Sequence, residues 1–270
     1  MSFKAACIQN SATPDTGQDL AVLARLVAEA ADRGARFIAT PEYCAGLDTK
    51  DGKLYPAAWP EAEHPALPAL ADAARRANAW LLIGSIGVSS GDGRIFNRSY
   101  MLRPDGTIAA RYDKLHLFDI DLDKDHVYRE SATIAPGEVA IVSPCTEGLI
   151  GLSICYDLRF PHLYRAQAKA GAEILAVPAA FTRKTGEAHW HILNRARAIE
   201  NGAYVIAPCQ YGTLAGGSAC FGHSLIVDPW GRVLADGGEA EGVIVAEIDL
   251  DLVRQTRSRI PSLRHDRAFA

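Results

Sequence analysis

The sequence predicts an α/β protein, a four-layer α-β-β-α sandwich with pseudo-two-fold internal symmetry, built as one domain over residues 1–270. The first observation behind this is rhythm. Strand-like apolar runs alternate with runs of helical periodicity, the pattern of a sheet covered by helices. The second is an internal echo. "SYMLRPDGTIAA" (99–110) and "SLIVDPWGRVLA" (224–235) share the pattern S-x-x-[LV]-x-P-x-G-x-[IV]-x-A, and their prolines lie 125 residues apart. Each segment is two strands joined by a Pro/Gly turn, hence a hairpin. Two unrelated hairpins could match by chance. A duplication also explains the βαβα run before each one, with the two sheets stacked face to face.

The elements follow in order. The N-terminal "MSFKAACIQ" enters a strand within a few residues. Residues 18–33 place Leu20, Leu23, Val27 and Ala30 at helical spacing, and Gly34 follows as a stop. "RFIAT" (36–40) is a buried strand ending at Pro41-Glu42, and an alanine-rich helix over 65–78 leads into "WLLIGSIGV" (80–88). After the first hairpin, "GLIGLSIC" (148–155) is a continuous apolar strand. A helix over 161–170 opens with Pro161 and closes at Gly171. "EILAVPAA" (173–180), a helix over roughly 187–201 and "AYVIAPC" (203–209) then precede the second hairpin.

Composition narrows the function. The chain is 49% hydrophobic with a formal net charge of −4, enough apolar residue for a large core. Lysine and arginine are interspersed with acids, so the basic stripe of a nucleic-acid face is missing. The N-terminus lacks the charged and apolar regions of a signal peptide, and no apolar run is long enough to span a bilayer. These features lead us to expect a cytoplasmic protein with neither nucleic acid nor membrane as partner. The six cysteines (Cys7, Cys44, Cys145, Cys155, Cys209, Cys220) are scattered, with no C-x-x-C pair to suggest zinc or a redox motif.

Common motifs fail. There is no G-x-x-x-x-G-K-[ST], and the glycines of "GSIGVSSGDG" lack dinucleotide spacing. "GLSIC" begins like a serine-hydrolase elbow but has Cys155 where the second glycine should stand. His189 and His191 of "HWH" sit two apart on a helix and point to different faces, so surface or structural roles are expected rather than a metal. Cys155 is more informative: an apolar strand ends on it and is followed at once by Asp157 and Arg159. By itself it is either a small core thiol or a nucleophile on a rigid support. Two other apolar strands end in a similar way, one on Glu42 and one just before Lys114. Each is a surface residue by default; together they supply a base, a cation and a nucleophile.

Glu42 in "PEY", Lys114 in "YDKLHLFD" and Cys155 in "GLSICYDLRFP" resemble the Glu-Lys-Cys triad of the nitrilase, or carbon–nitrogen hydrolase, superfamily. "ESATIAPG" (130–137) resembles that family's segment carrying a second glutamate. "AFTRKTGEAHWHILNRARAIENGAYVIA" (180–207) and "GHSLIVDPWGRVLA" (222–235) resemble its Nit branch, the amidases of the deaminated-glutathione and omega-amide type. The similarity runs almost end to end. It implies the same sandwich, no metal or cofactor, and a homodimer or higher homo-oligomer.

It also implies roles. Glu42 takes the thiol proton of Cys155, later protonating the departing nitrogen and activating water. Lys114 faces the developing oxyanion with the backbone N–H of Tyr156. Glu130 orients Lys114 and Glu42. Arg159 suits a substrate carboxylate, and Phe181 and Thr185 match residues that contact the acyl part. The expected reaction is hydrolysis of a small carboxylate-bearing amide through a thioester. Glu187, where the Nit amidases usually have proline, and the divergent loops 44–65 and 213–223 leave the substrate open. A nitrilase or N-carbamoyl hydrolase of the same superfamily is the alternative within the family, and an idle dimeric redox-sensor module the alternative outside it. A Cys–His mechanism would draw on His116, His189 or His223.

Overall fold

A computed structural model describes residues 2–50, 53–123 and 126–267. Two sheets carry the fold. In the larger one the strands run in the order Ile134–Ala135, Ile95–Leu102, Trp80–Ser89, Ala35–Ala39, Ser2–Gln9 and Gly242–Asp249. Ala58–Trp59 also pairs with Trp80–Ser89, and Ile108–Asp113 with Ile95–Leu102. The second sheet is ordered Val142–Cys145, Gly148–Leu152, Ile174–Ala176, Tyr204–Ala207, Leu225–Val227 and Val233–Asp236.

The duplication is visible in how strands pair. In each half three strands run parallel, then two return antiparallel as the hairpin. The hairpin turns repeat in detail. The N–H of Gly106 donates to Arg103 and that of Gly231 to Asp228, with φ of 80° and 81° at the two glycines. Only glycine adopts such a φ without cost, which is why the repeat preserves it.

Helices cover both outer faces. α1 (Thr16–Asp32) is capped by Asp15, whose carboxylate accepts from the N–H of Gln18, a contact whose loss typically costs about 1 kcal/mol. α2 (Ala66–Ala77) ends at Asn78 in a left-handed conformation. α3 (Pro161–Lys169) starts on its proline, and α4 (Arg183–Asn201) begins one turn earlier than its periodicity suggests and stops at Gly202. α5 (Leu250–Arg259) and the strand Gly242–Asp249 before it extend the fold beyond the second hairpin.

Period-two alternation decides which face each residue serves. On the first sheet Ile8, Ile38, Leu81 and Ile83 pack under α1 and α2 with Leu23, Val27 and Leu70. Their neighbours Cys7, Phe37, Ala39 and Leu82 point the other way, into the core shared with Leu152, Ala176, Ile206 and Ile226 of the second sheet. Both faces of each sheet are therefore covered, which explains the nearly continuous apolar runs.

Candidate active site

Glu42 follows the strand Ala35–Ala39, Lys114 follows Ile108–Asp113, and Cys155 follows Gly148–Leu152. Two sheets thus deliver three side chains to one place. Glu42 is 1% and Lys114 2% exposed, and the Cys155 thiol lies within electrostatic reach of both. Glu42 Oε1 accepts from Lys114 Nζ at 2.9 Å and from Asn97 Nδ2 at 2.8 Å, and its Oε2 accepts from the backbone N–H of Ala180 at 2.8 Å. Glu130 brackets the ammonium from the other side: Nζ lies 3.0 and 2.9 Å from its two oxygens. The N–H of Phe118 adds a 2.6 Å bond to Glu130 Oε2.

The backbone is strained at Cys155 and next to Glu42. Tyr43, next to Glu42, has φ 46°, and Cys155 has φ 48°. Such left-handed conformations cost of order 1–3 kcal/mol for residues with a side chain and persist only where the surroundings enforce them. Here they do. Gln210 Nε2 donates to the carbonyls of Glu42 and Tyr43, and Ser85 Oγ accepts from the N–H of Tyr43. The N–H of Cys155 is fixed on the carbonyl of Pro178 at 2.8 Å. Gly84 lies so close beneath this loop that a Cβ there would sit 2.0 Å from the Thr40 oxygen.

Asp157 ties the lysine's loop to the cysteine's. Fully buried, it accepts from Tyr112 Oη (2.6 Å), from the His116 backbone (3.0 Å) and ring Nδ1 (2.7 Å), and from the N–H of Ile154 (2.8 Å). The acid two residues beyond Cys155 is thus bonded within the protein and not offered to a ligand.

Electrostatics set the resting protonation. Burial, then the charge of Glu42, raises the Cys155 pKa well above the ordinary thiol value, with Lys114 opposing, so the sulfur rests as a neutral S–H. For Lys114, burial is the largest influence and acts downward. The carboxylates of Glu130 and Glu42 together outweigh it and hold the amine well above its usual value, a permanent cation. Burial and then Glu42 push Glu130 up, while Lys114 pulls it down.

These groups line a cavity of about 220 Å³. Tyr156, Phe181 and Thr185 line it as well. Arg159 does not. Its guanidinium lies 5.5 Å from the Phe181 ring and 5.9 Å from that of Tyr156, donating to His189 Nδ1 at 3.3 Å, and it has no carboxylate partner among the described residues. His116, His189 and His223 all lie off the cavity wall; they bond to Asp157, Arg159 and Asp236. The mouth is walled by three short hairpins, Leu47–Lys50 with Lys53–Pro56, Asp119–Asp123 with His126–Arg129, and Tyr211–Thr213 with Ala219–Phe221. They supply Leu54 and Tyr55, Tyr128 and Arg129, and Leu214 and Cys220.

Asn97 is the residue that sequence reasoning missed. Buried in the strand Ile95–Leu102, it reaches Glu42 at 2.8 Å and Glu130 at 3.5 Å. An asparagine inside a strand, where the residue is depleted, was the available signal. We expect Asn97→Ala to lower kcat about 10–100-fold with little change in KM, since hydrogen bonds to charged groups contribute about 1.5–3 kcal/mol. Steady-state kinetics check this; a change confined to KM would place Asn97 on the substrate instead.

Fold and site define a class: α-β-β-α sandwich hydrolases with a buried acid, amine and thiol around one cavity. Residues 4–258 match the model of the carbon-nitrogen hydrolase family. The chain belongs to that family and is an amidohydrolase of its Nit branch. It is 40% identical to a deaminated glutathione amidase of Synechocystis over 97% of both chains. With the omega-amidase NIT2 of Xenopus tropicalis it shares 34% identity, over 98% of this chain and 95% of the relative. Among solved structures, the NitFhit protein of C. elegans superposes with a TM-score of 0.89 at 32% identity, covering 98% of this chain, which spans 65% of the NitFhit chain. No helix among the described residues is long and apolar enough to cross a membrane.

Proposed function

We propose that Glu42, Lys114 and Cys155 hydrolyse the C–N bond of a short amide carrying a remote carboxylate. The observation that carries this is the shared cavity, which Glu42, Lys114 and Cys155 all line and in which the Glu42 carboxylate is paired with the ammonium. Because the sulfur rests protonated, attack is general-base catalysed: Glu42 accepts the thiol proton as sulfur adds to the carbonyl carbon. The oxyanion forms against Lys114 and the N–H of Tyr156, at the start of the turn Cys155–Arg159, where the first N–H groups have no partner within the turn. Glu42 then returns its proton to the leaving nitrogen, so ammonia or an amine departs and leaves a thioester. Water, activated by the same carboxylate, adds to the thioester. Collapse expels the thiol and releases the acid. Glu130 holds Lys114 in place throughout.

Arg159, a guanidinium without an acid partner among the described residues, beside Tyr156 and Phe181, supports a carboxylate-bearing acyl group. Phe181 and Thr185 line the cavity on that side. The names of the relatives favour deaminated glutathione or 2-oxo acid omega-amides. Six free cysteines support a reducing, cytoplasmic setting. Exposed Ile192, Ile199 and Trp230 support a homodimer.

The test is ammonia release from a panel of omega-amides, nitriles and N-carbamoyl compounds, before and after iodoacetamide. Release from carboxylate-bearing amides that alkylation abolishes is the expected result; preference for nitriles or carbamoyl substrates would overturn the substrate class. General-base activation gives a second expectation. Glu42→Gln should slow alkylation of Cys155 at neutral pH, though by less than it slows turnover, which also needs Glu42 for the leaving nitrogen and the water, read by peptide mass after timed labelling. An unchanged alkylation rate would mean that the thiol is ionised without Glu42.

A further inference from the structure

Outside the cavity, α4 and the second hairpin bring three ligating side chains together. His191 Nε2 lies 3.0 Å from Asp236 Oδ2, and His223 Nδ1 lies 2.9 Å from Asp236 Oδ1. One nitrogen from each imidazole and the carboxylate all fall within 4.8 Å of one another. None of the three residues lines the catalytic cavity, and both histidines are half-buried. The adjacent pair His189 and His191, the one a linear motif suggests, is split: His189 turns to Arg159, while His191 finds its partner in a different element.

Two further observations set the cluster apart from an ordinary surface hydrogen bond. His223 is held at φ 51°, its N–H on the Gly238 carbonyl at 2.7 Å and its own carbonyl on Trp190 Nε1 at 2.7 Å. The backbone is thus fixed on both sides in a costly conformation that aims the ring at Asp236. The duplication supplies the other. One repeat length before His223 and Asp236 stand Arg98 and Arg111. In the first half these arginines close on Glu61, at 2.8 and 2.7 Å, just ahead of α2. The equivalent positions in the second half carry an imidazole and a carboxylate, and His191 of α4 closes on that carboxylate where the first half has a cluster of arginines on Glu61.

We propose that His191, His223 and Asp236 bind a divalent transition metal, zinc by preference, which clamps α4 to the second hairpin. Two imidazole nitrogens and one carboxylate oxygen are a donor set that suits zinc. Metal–ligand bonds of about 2.0–2.2 Å place tetrahedral neighbours roughly 3.3 Å apart, within the range of the present separations. The fourth position opens to solvent and takes water. Binding requires each imidazole to present its lone pair at the nitrogen now facing Asp236 and to carry its proton on the other ring nitrogen. The site is separate from the hydrolytic chemistry; it fastens the helix that begins beside Thr185.

Iodoacetamide-treated protein, its reactive thiol blocked, is titrated with zinc by calorimetry and with cobalt by visible absorption. Wild type is expected to bind about one equivalent, with the intense bands of tetrahedral cobalt and a raised melting temperature. His191→Gln and Asp236→Asn should each weaken zinc binding by more than the roughly 10–100-fold that loss of an outer partner costs. Unblocked, both variants should keep wild-type turnover. Equal zinc uptake by wild type and both variants, or none by any of them, would overturn the proposal. Should one variant misfold, the other and the cobalt spectrum of wild type still decide it.

Discussion

Cys155→Ala should lower amide turnover by about 10⁴–10⁶-fold, the scale on which hydrolases lose activity with their nucleophile. The structure makes this a clean experiment. The side chain shrinks by one sulfur, the left-handed backbone stays pinned by Pro178, and no protein group is left charged, because the thiol rests neutral. Melting should therefore stay close to wild type while ammonia release vanishes and no acyl adduct appears by intact mass. Turnover near the wild-type rate would remove Cys155 from the chemistry and direct attention to Cys220, the other thiol on the cavity wall.

Lys114→Met should damage both activity and stability. Its ammonium is the cation between two buried carboxylates. Removing one partner of such a pair leaves uncompensated charge and typically costs about 3–5 kcal/mol, on the order of 10 °C in melting temperature for a chain of this size. Turnover should fall by at least about 10²–10³-fold with the loss of an oxyanion donor. The pH dependence identifies the cause. Without the cation, the pull that lowers Glu130 is gone, and burial leaves this acid taking up a proton more readily when folded than when unfolded. The native state then binds the extra proton, so the variant gains stability as pH falls from neutrality toward the ordinary carboxylate range near 4.3. In wild type the raised Lys114 pKa means its contribution is complete below the usual lysine value of about 10.4 and is lost only as pH climbs through the higher native value. Thermal melts at pH 5 and pH 8 distinguish the two proteins; identical shifts at both would show that the acids do not depend on the amine.

What could be read from the chain alone followed from local pattern. Apolar runs ending on Glu42 and Cys155 marked the strands whose ends meet at the cavity, and the repeated Pro/Gly turn marked the duplication. Helix stops at Gly34 and Gly171 were legible because a left-handed residue is a local requirement. The rest depended on distance. Gly242–Asp249 pairs with Ser2–Gln9 from the far end of the chain, and no local signal names that partner. Asn97 gains its meaning only when Glu42 and Glu130 arrive on either side. Arg159, four residues beyond Cys155, looks adjacent to it in sequence, yet the turn Cys155–Arg159 carries its guanidinium off the cavity wall and over the rings of Tyr156 and Phe181. Likewise the divergent stretches 44–65 and 213–223 gave no regular pattern, because their hairpins are held by cross-contacts such as the Thr49 hydroxyl on the Ala215 carbonyl.

The pairing of the last long strand with the first has a consequence for how the molecule is made. On the ribosome, Ser2–Gln9 emerges well before Gly242–Asp249 and keeps one flank bare until residue 249 has been polymerised. An incomplete nascent chain therefore carries an open sheet margin, the kind of edge that invites mispairing and that holding factors shield. Closure of the translated product is the event that retires this hazard.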